Sequence, residues 1–384
     1  MKVIFNKSVV MAAVAPLMCA VSGKSVLSTI EGILIEAKSP DICVLTTYDL
    51  DKGVRTQIEA KVIEEGSFII NAQKFNQTIK VMGGDEITLT VDDKMTACIS
   101  CGKSSHRMSA LRGEDFPAIP DLMSDRSFTV SEAVLKKMIS QVSFAMAVND
   151  QRIVLNGCFF KITDNSVLTV ACDGFKGAKC QRVTELENKN TNGNEHLDYS
   201  FIVPVKTVNE LGKLISDDED EITQIYVTRK HIVFIIGDLT FFSRLVDGSY
   251  IDYERIIIKN HKITVGVDKQ EFVSALERAA LVTEERIAGS VRSHVRLELA
   301  GGVLKVSATS ASGSTYEEIA VEQEGPDLVI AFNNRFLIDS VRSCDADKIK
   351  ISLSTALTSI NIEPYEAEEG KEEIFMILPV RMKE

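Results

Sequence analysis

One short grammar recurs six times along the 384 residues: a brief apolar strand runs into a helix, and alternating strands follow. Nothing else constrains the fold as strongly, because a period of this kind makes each repeat one supersecondary unit. Met1–Phe5 precedes a helical stretch from Lys7 to Val21, Phe128–Val130 precedes Ser131 to Ala147, and Ile263–Val265 precedes Asp268 to Val282. Between these lie three more: Ser67–Ile70 into Ala72–Met82, Ser200–Val203 into Pro204–Ile215, and Leu328–Ala331 into Asn333–Ser343. Ser131 and Asp268 are expected as helix N-caps. Val134, Leu135, Met138, Ile139, Val142 and Met146 recur at helical spacing, as do Phe272, Val273, Leu276 and Ala280. Strands such as Glu86–Val91, Val295–Leu299 and Lys350–Ser354 alternate apolar and polar residues, and Gly301-Gly302 reads as a hairpin turn.

The expectation is an α+β fold of three domains, 1–126, 127–262 and 263–384, each a duplicated strand-helix-strands unit. Seams fall near Phe116–Pro120 and Ile258–His261. Modules of this kind placed side by side continue one another's sheets and present their helices together. The Asn-rich segment Glu185–Asp198 is expected as a mobile loop, and Asp217–Glu221 and Glu366–Glu373 as solvated acidic loops.

Chemistry of the enzymatic kind is missing. No His-Glu-x-x-His or Gly-x-Ser-x-Gly pattern occurs, and Ser22-Gly23-Lys24-Ser25 lacks the first glycine of a phosphate loop, with Met18 in its place. The Cys98–Cys101 pair has half the spacing of a zinc site but lies in a strand, whose residues i and i+3 face opposite sides. No catalytic residue, metal or cofactor is therefore expected. Several of the other cysteines sit in apolar runs, as reduced thiols do in a cytoplasmic protein. Val9–Ala20 has the hydropathy of a signal-peptide core, but Lys7 falls late, Pro16 interrupts it, and no cleavage site follows. No run is long enough to span a bilayer.

A formal charge of −12 argues against nucleic acid, yet binding responds to the field of one face. The helical stretches carry Lys80, Lys136, Lys137, Lys206, Lys213, Arg335 and Arg342 among other cations, whereas acidic residues gather in loops and strand ends. With few aromatics interleaved, the expected contact is to phosphates and blind to sequence. The last residues, Phe375–Met382, are almost wholly apolar at an end of the chain where polar, frayed sequence is usual. They read as a final strand whose Phe375 packs inward, followed from Met376 by a wall for a bound partner. Pro379 stops ordinary inner-strand pairing.

Several motifs in order carry a specific resemblance: Leu111–Pro117, Val154–Phe160, Leu168–Gly174, Asp247–Tyr253 and Met376–Met382. Over essentially its full length the chain resembles the bacterial sliding clamps, the β subunit of DNA polymerase III. The resemblance implies a non-catalytic processivity factor: a head-to-tail homodimeric ring, helices lining the hole and sheets outside, around duplex DNA. Holding DNA topologically reconciles that role with the acidic charge. It implies as partners the polymerase III catalytic subunit, a clamp-loader complex and other proteins carrying a clamp-binding peptide. The peptide cleft it implies uses Leu155, Cys172, Gly174, Phe175, Lys176, Gly177, Ile251, Arg255 and Ile256. Asn333, Phe336, Leu357, Met376, Ile377, Leu378, Pro379, Val380, Arg381 and Met382 complete it. Lys24 and the loop Asn149, Asp150, Gln151 and Arg152 match positions that touch DNA. Lys74, Lys103, His106 and Met108 would meet Leu281, Val282, Glu317 and Glu318 across the dimer seam. The family's usual Gly-His-Arg-Leu is Gly174-Phe175-Lys176-Gly177 here, and a common Pro is Ile251. Those departures, with the acidic charge, keep open a clamp-like scaffold that recruits partners without encircling DNA.

Overall fold

The computed structural model describes residues 1–23, 25–191, 193, 196–283, 294–311 and 313–382. Every strand-into-helix junction of the repeat is present. Strands Lys2–Asn6, Gly66–Asn71, Ser127–Ser131 and Asp198–Pro204 lead into α1 (Lys7–Leu17), α2 (Ala72–Val81), α3 (Glu132–Val142) and α4 (Val205–Leu214). A single turn, α5 (Tyr253–Ile256), lies outside the pattern. Strands Ile263–Asp268 and Leu328–Phe332 then lead into α6 (Lys269–Thr283) and α7 (Asn334–Ser343). α1 and α3 are shorter than their apolar periodicity, because the chain tightens into 3₁₀ turns at Met18–Ala20 and Ser143–Ala145.

The junctions are set by local hydrogen bonds. Asn6 accepts from Ser8 N (3.0 Å), Asn71 from Lys74 N (3.0 Å), Asp268 from Glu271 N (2.8 Å) and Asn333 from Arg335 N (3.1 Å). Each satisfies a donor that the first helical turn leaves free. Ser131 departs from expectation, since its hydroxyl donates to Glu219 O at 3.4 Å rather than capping α3. In the first and last repeats the first helical lysine closes the end of the second helix. Lys7 Nζ donates to Met82 O, and Lys269 Nζ donates to Cys344 O at 2.5 Å. In the middle repeat Glu132 stands at that place, buried, and accepts from Ser216 N (2.6 Å) and Thr223 Oγ1 (2.7 Å).

The described chain divides into two compact units. The first comprises Met1–Ala133, Glu187–Glu195 and Lys213–Leu245 and holds a 14-stranded antiparallel sheet. Two successive modules share it where Leu239–Arg244 pairs with Lys52–Glu59, Phe242 opposite Gly53. A Cβ on Gly53 would lie 2.2 Å from the Phe242 ring, so glycine is needed for the close approach. Phe242, Tyr48 and Val233 form a buried cluster there, with Phe116, Ile119 and Leu122 packed on it. Phe242→Ala is expected to destabilise this unit by about 3–5 kcal/mol. Urea denaturation checks this, and an unchanged midpoint would contradict it.

Segment 185–198 is not simply a loop. Glu187–Asn188 pairs with Phe128 and Thr129, while Ser127 N donates to Asn190 Oδ1 (3.0 Å) and Thr191 N to Asp125 O (2.9 Å). Strand pairing there absorbs the backbone groups that a free loop would give to water.

The second unit comprises Val134–Leu186, His196–Gly212 and Val246–Glu384. It holds a nine-stranded and a four-stranded antiparallel sheet. Successive modules again share a sheet: Lys176–Val183 pairs with Lys371–Ile377 over its whole length. The acidic segment Glu366–Glu373 therefore runs into a strand. Glu373 is 5% exposed, and its carboxylate accepts from Arg182 Nη2 at 2.9 Å and from Asp345 N at 2.8 Å. No helix among the described residues is long and apolar enough to cross a membrane.

Candidate docking groove

The groove is built within the second unit around the last strand, Lys371–Ile377. Its side chains alternate between the two faces of the sheet. Phe375 and Ile377 are fully buried, with the Phe375 ring 6.2 Å from that of Phe144, and α7 packs on this strand. Ile374 and Met376 point to the other face and line an apolar pocket with Cys172, Gly177, Ile251 and Ile256. Phe375 lies inward as expected. Ile377, expected as a cleft wall, does not reach the groove, because strand alternation turns it into the core. Leu155 is likewise fully buried.

The opposite wall is the segment 251–261, which includes α5. Tyr250, just ahead of it, is anchored by stacking on Phe159 at 5.3 Å and 16°. Burial pushes the Tyr250 hydroxyl well above its usual range. Burial also raises the Cys172 thiol, which accepts a hydrogen bond from Gly174 N at 3.4 Å. Of the two, only Cys172 lines the pocket, whose other walls are mostly apolar side chains. Arg255 points away from it, 86% exposed at its side chain and paired with Asp252 at 2.9 Å.

Beyond Ile377 the chain leaves the strand. Leu378 N donates to Phe175 O and Val380 N to Ala331 O, both at 2.8 Å. Pro379 falls between them, where it has no donor to lose. Leu378, Val380 and Met382 are 42%, 38% and 37% exposed, and Phe175 is 64% exposed. Arg381 is exposed among them. These exposed apolar side chains lie together along the groove. Phe336 lies beside it, half-buried, with the Lys176 ammonium 4.4 Å from its ring centroid. Lys176 is itself buried and paired with Asp173, so its charge is spent locally. Asn333 serves to cap α7, and Leu357 stands 69% exposed in the turn Thr355–Thr358.

Asp173 orders the turn that presents Phe175, accepting from Phe175 N (2.8 Å) and Lys176 N (2.9 Å). Gly174 has φ +90°, and a Cβ there would lie 2.9 Å from Arg152 Nη2. Any other residue at 174 meets both backbone strain and that guanidinium. Arg152 is held by two 3.0 Å bonds to Asp150, whose carboxyl is drawn down to about 2 by the Arg152 side chain and backbone. Asn156 fixes the loop by bonding Asp150 N and O, each at 2.8 Å, and Asn149 sits at φ 59°. Gln151 is exposed.

The helix cations are less free than the sequence implied. Lys137 pairs with Asp345 at 2.7 Å, Arg342 with Glu277, and Arg335 with Asp339 at 4.0 Å. Acidic partners on the helices themselves, and just past them, neutralise part of the charge. Lys80, Lys206 and Lys213 are exposed, and Lys136 is partly so. Lys24 lies outside the described residues. Of the expected seam residues, Lys74, Lys103 and His106 are exposed and Met108 is partly buried. Strand Ser104–Arg112 meets a second neighbour only from Ala110 onward. Strand Gly313–Ala320 is the edge of its sheet. It carries Glu318 and Glu317, and the latter is already paired with Arg278 of α6. Leu281 is 77% exposed, and Val282 is partly buried.

The pocket-lining residues missed from sequence are Val170, Ala171, Ala178, Lys179, Tyr253, Ile257 and Ile374. For Ile374 the signal was available: it sits two residues before Met376 on one strand face.

Three consecutive profiles of one family match this chain: DNA polymerase III beta subunit, N-terminal domain over 1–120, central domain over 129–252, and C-terminal domain over 254–380. The beta sliding clamp of Staphylococcus epidermidis is 28% identical over 374 residues, covering 94% of each chain. That of Staphylococcus aureus is 28% identical over 375 residues with the same coverage. The crystal structure of the DNA polymerase III subunit beta from Pseudomonas aeruginosa superposes with TM-score 0.88 at 25% identity, covering 100% of both chains. The DNA polymerase sliding clamp from Bacillus subtilis shares the fold with TM-score 0.90 at 24% identity and the same coverage.

Proposed function

The chain belongs to the DNA polymerase III beta subunit family, and from that premise we propose that its apolar groove is where replication partners dock. It is a DNA sliding clamp, a non-catalytic processivity factor that works with polymerase and clamp loader. The observation that carries the docking reading is the apolar surface formed by Met376 at the pocket and the exposed Leu378, Val380 and Met382 beyond it, bordered by Phe175, Phe336 and the 251–257 wall. Such a surface fits a short peptide with one or two apolar anchors and few polar contacts.

We further infer that the protein acts in the cytoplasm as a head-to-tail homodimer around duplex DNA. The unpaired part of strand Ser104–Arg112 in one copy would add to the edge strand Gly313–Ala320 of the other. That seam brings Lys74, Lys103, His106 and Met108 toward Leu281, Val282, Glu317 and Glu318. Because Glu317 already has a partner, Glu318 would carry more of the charge complementarity. Lys24, Lys80, Lys136, Lys206, Lys213, Asn149 and Gln151 are the proposed DNA contacts, with Lys137, Arg152, Arg335 and Arg342 weakened by their pairing.

Loading onto nicked circular DNA tests this. Retention that is lost on linearisation is the expected outcome. Binding that survives linearisation, or no loader-dependent retention, would favour a scaffold that does not encircle DNA.

A further inference from the structure

The apolar pocket is narrow. Its free volume is about 20 Å³, room for about one water and too little for an aliphatic or aromatic anchor. On the other side of Ile257 and Ile374 lies a polar cavity of about 470 Å³. The two share Lys179 as well as those two residues. The segment 251–261 therefore acts as a strap, with a tight apolar pocket under one end and open polar space under the other.

What holds the strap is polar. Lys179 projects from strand Lys176–Val183, is 8% exposed, and pairs with Glu254 of the strap and with Glu372 of the last strand, both at 2.9 Å. Asn361 Nδ2 adds a bond to Ile258 O at 2.9 Å. Glu254 is held below the usual carboxylate range, first by Lys179 and then by Lys259. Burial alone would lower the Lys179 ammonium, but its hydrogen bonds to Glu254 and Glu372 outweigh that, and it stays charged.

We propose that Lys179 is a specificity-determining residue of the docking site: by tying the strap to the last strand, it sets how far the pocket wall can yield and so limits the size of anchor admitted. An entering side chain must push Ile257 toward the polar cavity, and that movement strains the Lys179–Glu254 contact. Small anchors need little movement, and large ones need more. Lys179 also lines the pocket, but its ammonium is held by Glu254 and Glu372 and acts through the strap. The role rests on the docking reading above.

The test measures affinity, by fluorescence anisotropy, for uncharged hexapeptides differing only in an Ala, Leu or Trp anchor. Wild type, Lys179→Met and Lys179→Arg are compared. Lys179→Met is expected to improve Trp binding about three- to fivefold relative to Leu, the scale of one ion pair to a half-exposed partner. Lys179→Arg, which keeps both ion pairs, retains the wild-type ratio. Hydrogen exchange at residues 254–258 should quicken in Lys179→Met and not in Lys179→Arg. Glu254→Gln, a milder change at a half-exposed side chain, should shift the ratio in the same direction. An unchanged Trp-to-Leu ratio in Lys179→Met and Glu254→Gln, or an equal loss for all three peptides, overturns the role of Lys179 and leaves docking intact. Failure of all three peptides to bind the wild type overturns the docking reading and this role with it.

Discussion

Replacing Glu373 by alanine is expected to destabilise the second unit by roughly 3–5 kcal/mol, the usual consequence of leaving one member of a buried ion pair alone. Arg182 is 8% exposed, and its Nη2 reaches Glu373 Oε1 at 2.9 Å and Gln141 Oε1 at 3.2 Å. Without Glu373, the only carboxylate among the described residues left within reach is Asp345 at 3.7 Å. Asp345 in turn loses the acceptor for its own backbone N–H. Water cannot replace these partners at so buried a site, so the guanidinium's desolvation goes uncompensated. Glu373→Gln keeps the acceptor oxygen and should lose less. The double change Arg182→Met with Glu373→Leu should recover much of the loss, since apolar residues of similar volume often replace a buried pair at little cost. Urea midpoints for the three variants decide the matter. Equal midpoints for Glu373→Ala and wild type would show that the pair contributes nothing.

Ile256→Asp is expected to weaken peptide docking by about 30- to 100-fold while leaving the melting temperature near that of the wild type. Ile256 is 40% exposed, so a polar residue can be hydrated in the free protein. In the complex the same carboxylate would be enclosed by the pocket's apolar walls of Cys172, Ile251, Ile374 and Met376. Its desolvation would then oppose binding by about 2–3 kcal/mol, the scale of a hot-spot residue. Isothermal titration with an uncharged Leu-anchored peptide measures it. Unchanged affinity would move the anchor site elsewhere in the groove.

Most of the architecture was legible because it is local. Asp268 caps its helix as expected, and Asn6, Asn71 and Asn333, which were not expected as caps from the sequence, cap theirs in the same local way, each within three residues of itself. The apolar stripes and alternating strands follow from periodicity, and the inward Phe375 follows from its place in the last strand. The failures share one cause. Ser131 looked like a cap, yet its hydroxyl bonds to Glu219, 88 residues away. The acidic run ending at Glu373 looked solvated, yet Arg182, 191 positions earlier, meets it in the core. Cations read as a free stripe found acidic partners such as Glu277, 65 positions from Arg342.

The repeat, the element order and the apolar character of the tail could be read from the chain alone, because each depends on residues within a few positions of one another. Only the tertiary structure decided which side chains form the groove. Pairing strand Lys176–Val183 with Lys371–Ile377 brings Ile374 and Met376 beside Cys172 and Gly177 and sends Ile377 to the opposite face. It also places Lys179 between Glu254 and Glu372. Register across a sheet is set by distant segments meeting, and a shift of one residue would exchange the groove side chains for the core ones.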